Sequence, residues 1–193
     1  MERAIRDPRK GRRGPQDKTS PRGSAGRKPY GPAERCGVRE TMARRLSAAD
    51  RKTHRRFAVE CFNGTWKLLL KKRRTKADDL EMVHRAHASR YHWGVVGNAK
   101  TLAIGEWQVS HVYAVLRRTE PALYHAKQSL RICREHRLGD FPLAYAFEAL
   151  ARASATARRG PDVRRFVRLA RSAGARIEEA DDRKLFFDDL ETI

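Results

Sequence analysis

The 193-residue chain is short of acid, of cysteine and of long apolar runs. No stretch of about 18 apolar residues exists, which excludes a membrane-spanning helix. Three cysteines, Cys36, Cys61 and Cys133, are few and odd in number, so they are expected as free thiols in a reducing cytoplasm rather than as a disulfide framework. The opening MERAIRDPRKGRRG is basic but has no apolar core, so no signal peptide is expected. No segment alternates polar and apolar residues at period two, which argues against half-buried strands. Collagen-like, disulfide-scaffold and coiled-coil compositions are likewise excluded.

Base is plentiful. There are 43 Lys+Arg against 23 Asp+Glu, a net charge of +20. Residues 1–50 hold 14 basic and 6 acidic residues, and residues 51–177 hold 27 and 10. Residues 178–193 reverse the sign, with 2 against 7. The first 41 residues contain 6 of the 13 Gly and 5 of the 8 Pro, and their only large apolar side chains are Met1, Ile5, Tyr30 and Val38. Such a segment cannot bury enough surface to offset its ordering entropy. Residues 1–46 are therefore expected to be a disordered basic tail, and residues 47–193 the folded domain. The tail reads either as a phosphate-binding arm or as a solvated leader upstream of a start at Met42.

From residue 48 onward Ala, Leu and Arg dominate, all good helix formers. Seven helices are expected. The first enters at Ser47–Asp50. The second begins at Ala77-Asp78-Asp79 and ends at Gly94 and Gly97. The third carries Leu102, Val109, Val112 and Leu116 on one stripe. The fourth starts at Thr119-Glu120-Pro121, with Thr119 as cap, and ends near Leu138-Gly139. The fifth starts at Asp140 and Pro142, and the sixth runs from Gly160-Pro161-Asp162 to Gly174. The seventh, about 176–190, turns Leu185, Phe186 and Leu190 inward.

The helices form pairs, and a shift of 41 residues relates Tyr113, Ala122 and Ser129 to Ser154, Val163 and Ala170. The series Ser110, Tyr113, Ala122, Ser129 resembles the tetratricopeptide repeat, and Ala151, Ser154, Val163, Ala170 follows it more loosely. Arg117 and Arg158 stand where that family has its turn glycine, and Arg134 where it often has proline. The stretch HASRYHW…GEWQ…VYAVL is also similar to small uncharacterised bacterial repeat proteins. The resemblance implies an all-α, right-handed α-α superhelix of about three helix pairs with a C-terminal capping helix. It implies a non-catalytic module whose concave groove binds a protein or peptide. Its groove positions carry over to Ile104, Trp107, His111, Ala114 and Val115, and to Tyr145, Glu148, Arg152, Ala155 and Thr156. Trp107 and Tyr145 would offer amphipathic area, and His111, Glu148 and Arg152 orienting polar contacts. The basic body favours an acidic partner.

Other signals compete. Gly94–Thr101 falls one residue short of a phosphate-binding loop, because Ala99 replaces a required Gly, and is expected to be an inter-helix loop. His84, His87 and His92 cluster, and Glu81-x-x-His84 is half of a di-iron motif without its second half, so no metal or other cofactor is expected. Glu106 leans inward and needs a partner, one of these histidines or Arg90. His87, His92 and Glu106 beside Trp107 are thus the candidate pocket of a ligand-binding protein or enzyme. No recognisable nucleophile accompanies them, so no catalytic residue is assigned. Basic runs at Lys67–Lys76 and Arg164–Arg171, with the tail, make nucleic acid the alternative partner. Oligomeric state stays open.

Overall fold

A computed structural model describes residues 46–193, which form seven α-helices and, among the described residues, no strand. The expected tail, residues 1–46, lies outside them but for Leu46. The helices are α1 (Ala48–Leu69), α2 (Lys76–Val96), α3 (Ala99–Val115), α4 (Thr119–Glu135), α5 (Asp140–Thr156), α6 (Gly160–Gly174) and α7 (Ala180–Leu190). None is long and apolar enough to cross a membrane.

Local sequence explains most boundaries. Ser47 caps α1 through the Asp50 N–H, and Thr75 caps α2 through the Asp78 N–H; each N3 carboxylate returns a bond to its cap. Asn98 and Thr101 do the same for α3, so the stretch resembling a phosphate loop is the end of one helix and the cap of the next. Three boundaries differ from expectation. Thr119 is the first residue of α4 rather than its cap, and the capping residue, Arg118, makes no side-chain bond. The same helix stops at Glu135, three residues early. Residues 176–179 lie outside any helix, and α7 begins only at Ala180.

Each helix packs against its chain neighbours, and α3 also touches α5. Pairs α1–α2, α3–α4 and α5–α6 are antiparallel hairpins, and in the first two buried serines reach across. Ser89 donates to the Ala58 carbonyl at 2.9 Å, Ser110 to that of Ala122 at 2.8 Å and Ser129 to that of Ala103 at 2.9 Å. Each hydroxyl thereby meets the demand that burial places on it. Ala122, Ala126, Ala170, Ala173 and Gly174 are buried and let the second helices approach closely. The bounds of α3 and α5 differ by 41 positions at both ends, as do the starts of α4 and α6. In the turns Arg117 and Arg158 both take left-handed backbone, with φ of 56° and 55°. Arg118 N–H then donates to the Tyr113 carbonyl, and Arg159 N–H to that of Ser154.

The core follows the inner helices. From Ala144 to Ala151 every residue of α5 is buried, the expected state of a helix apolar around most of its circumference. Helix α7 lies on α5 and α6 and inserts Phe186, 0% exposed, and Leu190; Phe187 packs alongside rather than Leu185. Gly174 makes this possible, because a side-chain carbon there would overlap the Phe186 ring.

Candidate functional site

The expected groove residues do come together, but inside the protein. Trp107 and Tyr145 are 5% and 1% exposed, and their rings meet edge-on with centroids 4.5 Å apart. Their apolar area is spent on each other and is not offered to a ligand. Glu148, fully buried, accepts from Trp107 Nε1 at 2.7 Å and from Arg152 Nε at 2.6 Å. Burial pushes its carboxyl pKa up, against the opposing pull of Arg152 and Trp107. Arg152 also donates to the Asp189 carbonyl and to Thr192 Oγ1, and the Tyr145 hydroxyl donates to the Asp189 carboxylate at 2.8 Å. The acidic C-terminal segment thus closes the polar cluster. His111 stands against Trp66 and Trp107 with its Nδ1 buried and unpartnered. Burial, then the nearby Arg152 charge, push its pKa down to about 3. The remaining groove positions divide. Ala114 is buried, Ile104 packs half-buried on the core, and Ala155 is exposed.

A second cluster forms where α2, α3 and α4 meet. Glu106, 8% exposed, accepts from Arg90 Nε at 2.8 Å, and its other oxygen lies 2.6 Å from His125 Nδ1. Burial opposes charge on Glu106, yet the His125 hydrogen bond and the Arg90 charge outweigh it and hold the carboxyl below its ordinary range. Gly105 lets Arg90 pass over the helix. His87 is next to this centre: its Nε2 lies 2.9 Å from the Tyr113 hydroxyl, and its ring meets His125 edge-on at 5.4 Å. His92 is not part of it. Its Nδ1 lies 2.9 Å from His54 Nδ1, beside Phe57 and Tyr91. The candidate pocket therefore separates into two places. A carboxylate on Nδ1 orients His125 as a general base would be oriented. Beside it, however, the Tyr113 hydroxyl and His87 Nε2 are engaged with each other.

Metal chemistry has no focus among the described residues, where no group of three or more His, Cys, Asp or Glu could hold an ion. Glu81 instead binds Arg85 at 2.7 Å, and His84 is exposed. Burial pushes the Cys133 thiol up to about 11, so it stays protonated at neutral pH. Cys36 is outside the described residues.

Two partners, His125 for Glu106 and His54 for His92, become legible only once the helix register is known. Antiparallel pairing of α3 with α4, set by Ser110–Ala122 and Ser129–Ala103, places residue 125 opposite 106. The His54–His92 contact follows in the same way from the α1–α2 hairpin. Asp189 and Thr192 do not follow from register, because the path of the C-terminal turn has no local signature.

Unpaired charge gathers elsewhere. The turn within each helix pair lies at the same end of the stack, and all three turns are basic: Lys71–Arg74, Arg117–Arg118 and Arg158–Arg159. Lys71 and Arg74 pair with Asp78 and Asp79. Lys72, Arg73, Arg117, Arg118, Arg158 and Arg159 are exposed, with no ion pair to any described residue. Three large apolar side chains stand out near them: Leu70 at 73%, Leu80 at 59% and Tyr124 at 54% exposure. No family model matches the chain, and neither curated proteins nor solved structures show a significant match to it.

Proposed function

We propose that the chain is a non-catalytic binding module of tetratricopeptide-like helix pairs, stacked as a right-handed superhelix, that takes an acidic segment of a partner protein. One observation supports this above the others. Exposed, unpaired cations and large apolar side chains share the turn end of the stack. Arginine guanidinium groups suit carboxylates in bidentate geometry, while Leu70, Leu80 and Tyr124 offer anchors for the apolar residues between them. Recognition belongs at this edge rather than at Trp107, His111, Tyr145, Glu148 and Arg152, which pack against one another. The Glu106–His125 pair and the C-terminal seal are then supports of the scaffold.

The test uses fluorescein-labelled peptides in which Glu and Leu alternate, with Lys replacing Glu in a control. The acidic peptide is expected to bind, and the Lys version is not. Reversing Arg117, Arg118, Arg158 and Arg159 to Glu is expected to weaken binding at least tenfold, with the circular dichroism unchanged. Equal binding of both peptides, or binding indifferent to the reversal, overturns the reading.

A further inference from the structure

Helix α6 presents a second charged surface of different character. Arg164, Arg168 and Arg171 recur at four and three residues, so they form one ridge along the helix. Arg165 flanks it, with its guanidinium 5.6 Å from the Phe166 ring centroid. All four are exposed, and none has an ion pair to a described residue.

Elsewhere on the surface many cations sit one turn from an acid: Arg56 with Glu60, Arg85 with Glu81, Arg131 with Glu135 and Lys184 with Asp188. The start of α1 is an exception, where Arg51, Lys52 and Arg55 are exposed with no ion pair to a described residue. Helix α6 has a single acid, Asp162, in its first turn. Like charges three and four residues apart repel and destabilise a helix. A ridge of them is a surface built for a counter-charge that the described residues do not supply.

We propose that this ridge binds the phosphodiester backbone of nucleic acid, a surface separate from the proposed protein-binding edge. The cations are all arginine, whose planar fork takes phosphate oxygens two at a time as it does carboxylates; two further features favour phosphate over acidic peptide. The arginines stand on a rigid helix at separations of about 5–6 Å, so they meet a densely charged polymer without rearranging. The large apolar groups at the turn edge have no counterpart on the ridge itself; Leu169 points from its flank. Contacts of this kind read charge and shape rather than base sequence.

The test is fluorescence anisotropy with the full chain and 5′-labelled 24-mers, single- and double-stranded, over a series of salt concentrations. Replacing Arg164, Arg168 and Arg171 by Gln keeps helix propensity nearly constant. It is expected to weaken binding at least tenfold and to lower the slope of log affinity against log salt by about 2–3, close to one for each lost phosphate contact. Removing the same charge from α1, by R51Q, K52Q and R55Q, controls for net charge and is expected to change the slope by less than half as much. Equal losses from the two triples overturn the proposal. So does poly-glutamate binding as tightly as the oligonucleotides with the same dependence on the ridge.

Discussion

A buried polar side chain is stable only if its partners are buried with it. Glu148 and Glu106 meet that condition in different ways. Glu148 lies between an indole N–H and a guanidinium in the closed interior, and Glu106 between a guanidinium and an imidazole near the surface. His111, whose Nδ1 is buried without a partner, does not meet it and is tolerated as the neutral imidazole. Its pKa falls from about 6.5 in the unfolded chain to about 3 in the fold. A depressed histidine contributes stability that is complete above pH 6.5 and is lost as pH falls toward 3. Within that window one proton costs about 1.4 kcal/mol per pH unit. His87 and His92, also held down by burial, act in the same direction. Glu106 joins them below its ordinary range, whereas Glu148, raised by burial, opposes. The His111→Phe variant isolates the effect, since Phe can pack between Trp66 and Trp107 without the orphaned nitrogen. Urea denaturation from pH 7 to pH 5 is expected to show wild-type stability falling more steeply than that of the variant. Parallel curves would mean that His111 takes up its proton in the folded state. The need of Glu106 for a partner was legible from sequence, because an inward acid in an apolar stripe demands one, and Arg90 was one of the alternatives it offered. His125 required knowing the register of two helices, which no local pattern states.

Helices were legible because caps and periodicity act within a few residues: Ser47, at the expected entry of the first helix, bonds the Asp50 N–H, while the equivalent caps Thr75 and Asn98 were not expected. Turns were less so. The left-handed residues are Arg117, Arg137, Asp140 and Arg158, whereas Gly139 has φ of −102°. Arginine gives no sign of that conformation, which costs an L-residue roughly 1–2 kcal/mol. Arg117 and Arg158, the two positions where the resembling family has glycine, have matching φ of 56° and 55°. Replacing Arg158 by Gly relieves the strain, offset in part by the greater freedom of Gly in the unfolded chain. A net gain of about 0.5–1 kcal/mol is expected. Arg158→Val, β-branched at positive φ, should lose at least as much. Thermal melts should therefore rank Gly above Arg above Val. If Gly falls below Arg, the arginine side chain contributes more at that turn than its backbone costs.

Over the whole molecule, repulsion among the unpaired bases competes with scattered pairs. The described residues carry 29 Lys+Arg against 18 Asp+Glu, and the acids concentrate after residue 177. Exposed ion pairs contribute little each, whereas an excess of one sign opposes compaction throughout. Sodium chloride separates the two, because screening relieves repulsion and weakens pairs together. Raising salt from 10 to 300 mM shortens the Debye length from about 30 Å to below 8 Å, and Tm should rise by a few degrees. A fall would show that the pairs outweigh the excess. Sulfate is unsuitable here, since it strengthens apolar burial in its own right. The ridge variant sharpens the same measurement. With Arg164, Arg168 and Arg171 as Gln, three like-charge contacts disappear (164–168, 165–168 and 168–171), each costing about 0.2–0.5 kcal/mol at low salt. The variant is expected to melt above the wild type at 10 mM salt and to converge with it at 300 mM. A stability gain combined with a loss of nucleic-acid affinity would identify charge retained for binding at the expense of the fold; a variant no more stable than the wild type would mean that the ridge is relaxed as it stands.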